Sequence, residues 1–209
     1  LVTLLYYLLP VRHRWFMLLV ASFYFYMVWE PIYILLVIFS ILVDYFTGVK
    51  MGNLATKQER KPYMYLSIIC NLGNLAIFKY FDFFAGSAND LFGALNMDYM
   101  IPLAHLILPL GISFYSFQAM SYTLDVYKGK TEPERHLGIF SLYVTFFPQL
   151  VAGPIERAKT LLSQFHFNYA FDWKNISSGL RLILLGLFKK IVIADQLSIM
   201  VSHVFNNPE

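Results

Sequence analysis

The side chains most able to do chemistry are few. Five histidines are spread through the chain: His13, His105, His136, His166 and His203. His105 opens an apolar run and the other four lie near the ends of such runs, where an imidazole is ordinarily solvated. None stands at metal-ligand spacing from a Cys, Asp or Glu, so no metal site is expected. Cys70 is the single cysteine and lies in an apolar run; it reads as a small buried apolar residue. No G-x-S-x-G, H-E-x-x-H, phosphate-binding P-loop or G-x-G-x-x-G pattern occurs.

Charges inside apolar runs are more telling, because they are costly there and usually have a task. In LRLILLGLFKKIVIAD (180–195), Arg181, Lys189 and Lys190 offer a basic lining for an anionic donor, such as the phosphates of a thioester. The plainer reading is a helix that enters from the membrane surface with its cations snorkelling. Asp195 lies five residues from Lys190, out of register for a regular helical pair. Asp44, near the end of its run with Lys50 close by, is expected to reach the membrane interface. Lys79 is expected to snorkel from a run end, and Asp125 follows SYTL at the end of another run.

The stretch FFPQLVAGPIER (146–157) breaks the pattern. Pro148 and Pro154 each remove a backbone donor and restrict the preceding residue. Gly153 adjoins the second proline, and Gln149 adjoins the first. Backbone without helical hydrogen bonds survives at membrane depth only when it is buried in protein or lines a wet cavity. A second break lies in ILPLGISFYSFQ (107–118), where Pro109 and Gly111 precede Gln118. Two breaks, each beside an amide, suit a polar pathway; a packed kink is the alternative.

The elements that position these residues follow from composition. Hydrophobic residues make up 58% of the 209 residues and charged residues 14%, against about 25% charged in soluble domains. Mean hydropathy is +0.55. The expected fold is all-α, a polytopic transmembrane helical bundle with broken or re-entrant helices. Apolar runs predict spans at 1–9, 15–29, 31–47, 63–81, 105–124, 136–152 and 178–201, with Trp15 and Trp29 at interfacial positions. The run 1–9 is short of the ~20 residues of a full span, and it is neither signal-like nor preceded by Met. The chain is therefore expected to be the N-terminal part of a single transmembrane domain covering 1–209. Arg12, Arg14, Lys50, Lys57, Arg60, Lys61, Lys128, Lys130 and Arg135 all fall in alternate loops. The intervening loops, 30–31 and 82–104, carry no Lys or Arg. The basic set is thus assigned to the cytoplasmic side. Segment 82–104, with Asp82, Asp90, Asp98, Gly86 and Gly93, is expected to be an extracytoplasmic surface loop. In 165–173, Phe165, Phe167, Tyr169, Phe171 and Trp173 alternate with polar or small residues, predicting an extended or irregular aromatic segment at the membrane surface. The net charge of +3 lacks the basic block of a nucleic-acid footprint.

Three segments in order, LPLGISFYSFQAMSYTLDVYKG (108–129), FFPQLVAGPIERA (146–158) and GLFKKIVIADQLS (186–198), resemble the signature stretches of the membrane-bound O-acyltransferases. The similarity is greatest to the branch holding the alginate O-acetylation and teichoic-acid D-alanyl transfer proteins. LLYYLLP (4–10) and ASFYFYMVWEPIYILLVIFSILVDYFTG (21–48) match the N-terminal layout of that branch. The resemblance implies helices around a central funnel in a bacterial inner membrane, with an acyl group, most simply acetyl, moved onto hydroxyls of an exported polysaccharide such as alginate. It implies an acyl donor such as acetyl-CoA or an acyl-carrier thioester, no bound cofactor, and periplasmic or extracellular polysaccharide-acetylation partners. The family's histidine is expected beyond Glu209, so no catalytic residue is assigned here and these residues alone are expected to be inactive. Ser113, Tyr115, Gln118, Tyr122, Asp125, Gln149, Gly153 and Pro154 would wall the substrate passage. Two other readings are a transporter or flippase component, and a scaffold subunit that docks envelope partners through 82–104.

Overall fold

The computed structural model describes residues 1–97, 99–150, 153–154 and 156–206. Asp98, Val151, Ala152, Ile155 and the terminal Asn207, Pro208 and Glu209, which several of the sequence expectations include, lie outside the described residues. Among the described residues all regular structure is helical. The chain divides into two compact units, Leu1–Asn168 and Tyr169–Glu209.

The first unit opens with α1 (Val2–Leu8) and α2 (Val11–Met27), separated at Pro10. A single 3₁₀ turn at Pro31–Tyr33 leads into α3 (Ile34–Gly52). Helix α4 (Lys57–Leu75) starts on a capping box: Thr56 Oγ1 accepts from Glu59 N at 3.3 Å, and Glu59 Oε2 accepts from Thr56 N at 3.2 Å. These reciprocal bonds satisfy donors that a helix start otherwise leaves free. A wider π-helical segment, Ala76–Tyr80, then runs without a break into α5 (Phe81–Ala94). After a non-helical stretch come α6 (Ile112–Tyr127), α7 (Leu137–Thr145), the short α8 (Phe147–Leu150) and α9 (Ala158–His166).

Helices α3, α4 and α6 pack on one another, α7 lies against α2 and α3, and α9 covers α6 and α7. Their shared core holds Val37, Ile41, Tyr115, Ala119, Tyr122, Phe140, Tyr143 and Leu161. Trp15, predicted at an interface, packs edge-on against the His136 ring at 4.7 Å. His136 itself caps α7, its Nδ1 accepting from Ile139 N.

Several predicted boundaries move. Helix α3 runs to Gly52, beyond the expected end at 47. The predicted loop 82–104 is helical as far as Ala94. Gly86 and Gly93 do not adopt positive φ, so they do not end the helix. The Asp82 carboxylate accepts from the backbone N–H groups of Ala104 and His105, at 2.8 and 3.0 Å. Asn89 exchanges two hydrogen bonds with the Ile101 backbone. The acidic and amide groups that resemble turn formers thus tie the return segment alongside α5. Lys79, expected at a span end, lies inside this continuous helix with its ammonium 5.5 Å from the Tyr80 ring centroid. The predicted span at 105–124 becomes helical only at Ile112, after Pro109 and Gly111. In 165–173 only the middle is non-helical: α9 ends at His166, and Trp173 begins the next helix.

Two continuous helices among the described residues, Pro31–Gly52 and Lys57–Ala94, are long and apolar enough to cross a membrane. Leu137–Leu150 is apolar but shorter.

The second unit is one long helix in three parts: α10 (Trp173–Phe188), a π-helical segment Lys189–Ala194, and α11 (Asp195–Asn206). Asp172 caps it, its Oδ1 accepting from Lys174 N at 2.9 Å.

Candidate functional site

The two sequence breaks meet in space. Gly111 adopts φ +68° and caps the start of α6. A Cβ at that position would strike the Leu150 carbonyl at the end of α8. On the other side of α8, Phe147 N donates to Ser22 Oγ of α2 at 3.3 Å. Pro148 ends α7's run by denying a donor, and α8 wedges between α2 and the start of α6. Leu110 and Phe147, one from each break, line an apolar cavity of about 400 Å³ together with Ala21, Phe25, Val28 and Trp29.

Beside this junction α6 turns Tyr115, Gln118 and Tyr122 inward, at spacings of three and four that share one helix face; all three are buried. Gln118 Nε2 donates to the Tyr143 carbonyl at 2.6 Å. Tyr143 Oη lies 3.3 Å from both the Gln118 and Glu156 carbonyls. The amide near the first break therefore stitches α6 to α7, and Tyr143 reaches on to the backbone beyond the second. Tyr122 Oη accepts from Glu134 N at 3.0 Å. The buried Tyr26 Oη, Tyr115 Oη, Ser116 Oγ and Gln149 Oε1 have no hydrogen-bond partner among the described residues. An unsatisfied buried polar atom costs about 1–3 kcal/mol.

The other predicted residues are more peripheral. Ser113 and Asp125 are half-buried, and Pro154 is exposed. Gly153 N donates to the Gln149 carbonyl at 2.9 Å. Arg181, Lys189 and Lys190 belong to the second unit and are exposed. Lys190 Nζ donates to Asp195 Oδ2 at 2.7 Å, a pairing that regular helical spacing argues against. The π-helical segment explains it: its i→i+5 turns bring residues five apart onto one face.

Sequence reasoning missed the most densely bonded polar group. Asp44 does not reach the interface; its side chain is fully buried. Its carboxylate accepts from Ser67 Oγ, from Asn71 Nδ2 at 2.8 Å and from Thr123 Oγ1 at 3.1 Å. One acid thereby joins α3, α4 and α6, and all its donors are neutral. The available signal was the pairing of Ser67 with Asn71, i and i+4 on one face of an apolar helix. Among the described residues no three His, Cys, Asp or Glu side chains gather as a metal site. His166 Nε2 instead lies 2.7 Å from Glu134 Oε2.

No family model and no solved structure matches the chain. Curated relatives do. It is 37% identical over 203 residues to the probable alginate O-acetylase AlgI of Pseudomonas syringae pv. tomato, an alignment covering 96% of this chain and 39% of that protein. It is 35% identical to the protein of that name from Pseudomonas aeruginosa, covering 96% of the chain and 38% of the relative. It is 33% identical to the peptidoglycan O-acetyltransferase of Helicobacter pylori, covering 85% of the chain and 38% of the relative. The chain spans about two fifths of the length of the curated relatives it matches. Over most of its length the chain is thus similar to proteins named as O-acetylases of alginate and of peptidoglycan.

Proposed function

We propose that the complete protein is a multi-pass inner-membrane O-acetyltransferase, and that residues 1–209 form the N-terminal part of its single transmembrane domain. It would transfer acetyl from a thioester donor, such as acetyl-CoA or an acyl-carrier protein, to hydroxyls of an exported polysaccharide such as alginate, with polysaccharide-acetylation proteins of the envelope as partners. The observation that carries this reading is the identity to two differently named O-acetylases over most of the chain. Large apolar side chains exposed along α2, α3 and α4, such as Phe16, Phe39, Phe46 and Ile69, support placement of the bundle in lipid.

The chemistry sets what the protein must supply. A thioester is already activated, whereas a sugar hydroxyl is a weak nucleophile that needs a general base. The protein must align the two and keep out water that would hydrolyse the donor. The α6–α8 junction suits the wall of such a passage, with Tyr115, Gln118, Tyr122 and Gln149 beside an apolar cavity and with Ser113, Asp125, Gly153 and Pro154 on its flanks. Arg181, Lys189 and Lys190 would meet donor phosphates.

The test is incorporation of labelled acetyl into polymer by membranes carrying the complete protein. New ester supports the reading, whereas substrate movement without ester points to a transporter. In the same assay Gln149→Leu should lower transfer while leaving the amount of folded protein unchanged. Undiminished transfer would remove Gln149 from the passage.

A further inference from the structure

A small basic pocket forms where the ends of α3 and α6 meet the start of α4, on the side assigned to the cytoplasm. Its volume is about 230 Å³, and its polar lining comes from Arg60, Lys130, Thr131 and Glu132. Local rules build it. At the end of α6, Gly129 adopts φ +71°, Gly129 N donates to the Val126 carbonyl, and Lys130 N donates to the Asp125 carbonyl. This paired 5→2 and 6→1 closure is the Schellman arrangement. After this turn, Lys130 and Thr131 line the same pocket as Arg60 of α4.

From that helix Arg60 is held rigidly, its Nε and Nη2 donating to the Leu54 carbonyl at 3.0 and 2.6 Å. Nη1 remains available, as does the Lys130 ammonium. The ion pairs found among the described residues involve neither cation. Thr131 Oγ1 is buried and has no hydrogen-bond partner among the described residues.

The pocket thus presents two cations against the single carboxylate of Glu132, with the buried Thr131 hydroxyl in the same lining. A fixed guanidinium, an ammonium and a hydroxyl are the donor set that a tetrahedral oxyanion takes up. A role confined to offsetting the negative ends of α3 and α6 would leave the Thr131 hydroxyl unexplained. We propose that this pocket binds a phosphate group of a membrane-proximal ligand. That phosphate belongs either to a soluble nucleotide-bearing donor or to an anionic lipid headgroup, and the pocket's place among cytoplasmic basic loops suits both. The inference rests on the inner-membrane placement given under the proposed function and on the cytoplasmic assignment of the basic loops, but not on acyl transfer.

The experiment uses the complete protein in nanodiscs and reads binding without turnover, so a failed transfer assay and a failed site are separate results. Coenzyme A affinity is measured in zwitterionic discs. Retention of phosphatidylglycerol is measured by native mass spectrometry in doped discs. Lys130→Gln and Thr131→Val remove no hydrogen bond found in the fold, so both variants should remain folded, whereas Arg60→Gln would free the Leu54 carbonyl. Each of the first two should weaken binding of at least one probe, by roughly tenfold for the charge and less for the hydroxyl. Loss confined to coenzyme A assigns the phosphate to the donor, and loss confined to phosphatidylglycerol assigns it to lipid. Loss of both means that the two ligands share the pocket. Less than a twofold change with both probes in both variants overturns the proposal.

Discussion

Asp44 and Thr123, 79 residues apart in sequence, meet inside the bundle with Thr123 Oγ1 donating to Asp44 Oδ1 at 3.1 Å. The same carboxylate holds Ser67 and Asn71, so one side chain fixes the mutual register of α3, α4 and α6.

Replacing that acid should therefore loosen all three helices. Asp44→Ala leaves Ser67 Oγ without its acceptor. Asn71 Nδ2 and Thr123 Oγ1 keep their fallbacks, the Ser67 carbonyl at 3.0 Å and the Ala119 carbonyl at 3.2 Å. The expected loss is about 2–4 kcal/mol. Thr123→Val should cost only ~1 kcal/mol, in the usual range for hydrogen bonds between membrane helices, and less again when combined with Asp44→Ala. Unfolding in detergent, followed as a double-mutant cycle, checks this. Additive losses would mean that the two groups act independently.

Two glycines of nearly equal φ offer an internally controlled comparison. Gly129→Ala meets open space, so it should cost only the left-handed backbone penalty of about 1–2 kcal/mol. Gly111→Ala bears that penalty and also drives a methyl into the Leu150 carbonyl, adding roughly 1–3 kcal/mol. Thermal unfolding of the two variants side by side gives the difference. Equal shifts would show that α8 does not press on the start of α6.

Tyr122→Phe removes the hydroxyl that accepts from Glu134 N and should cost about 1 kcal/mol. The effect should be local. Hydrogen exchange at the Glu134 amide should quicken, while amides in the middle of α3 should be little changed.

Much of the fold was legible in the sequence because the two breaks are written in proline and glycine. Pro109 with Gly111 and Pro148 with Gly153 interrupt apolar runs, and the interruptions are real. That they touch each other was not legible, since the Gly111 and Leu150 contact depends on how α8 is wedged against α2. The Asp44 cluster was hidden for a similar reason. Its donors are ordinary Ser, Asn and Thr residues on other helices, and only packing shows that they converge. Helix α5 was misjudged because Asp82, Gly86 and Gly93 are turn formers by type, and their tertiary bonds decide otherwise. The π-helical segments AIFKY and KKIVIA carry no local signature that separates them from regular helix.

The second of those segments makes a prediction of restraint. The Lys190 and Asp195 pair has side-chain exposures of 69% and 47%, so solvent screens it strongly. Lys190→Gln should change stability by less than ~0.5 kcal/mol. A larger loss in thermal unfolding would mean that the pair holds the wide turn in place.

The unbroken run from Lys57 to Ala94 counts 38 residues. At about 1.5 Å per residue it measures roughly 57 Å, nearly twice a hydrocarbon layer of ~30 Å. With the charged residues Lys57–Lys61 on the cytoplasmic face, as in the proposed orientation, the lipid is crossed by about the level of Asp82. The last dozen residues then stand outside as a rigid post, braced where Asn89 grips Ile101. Under the proposed orientation, such a mast would hold the following segment at a fixed height above the bilayer.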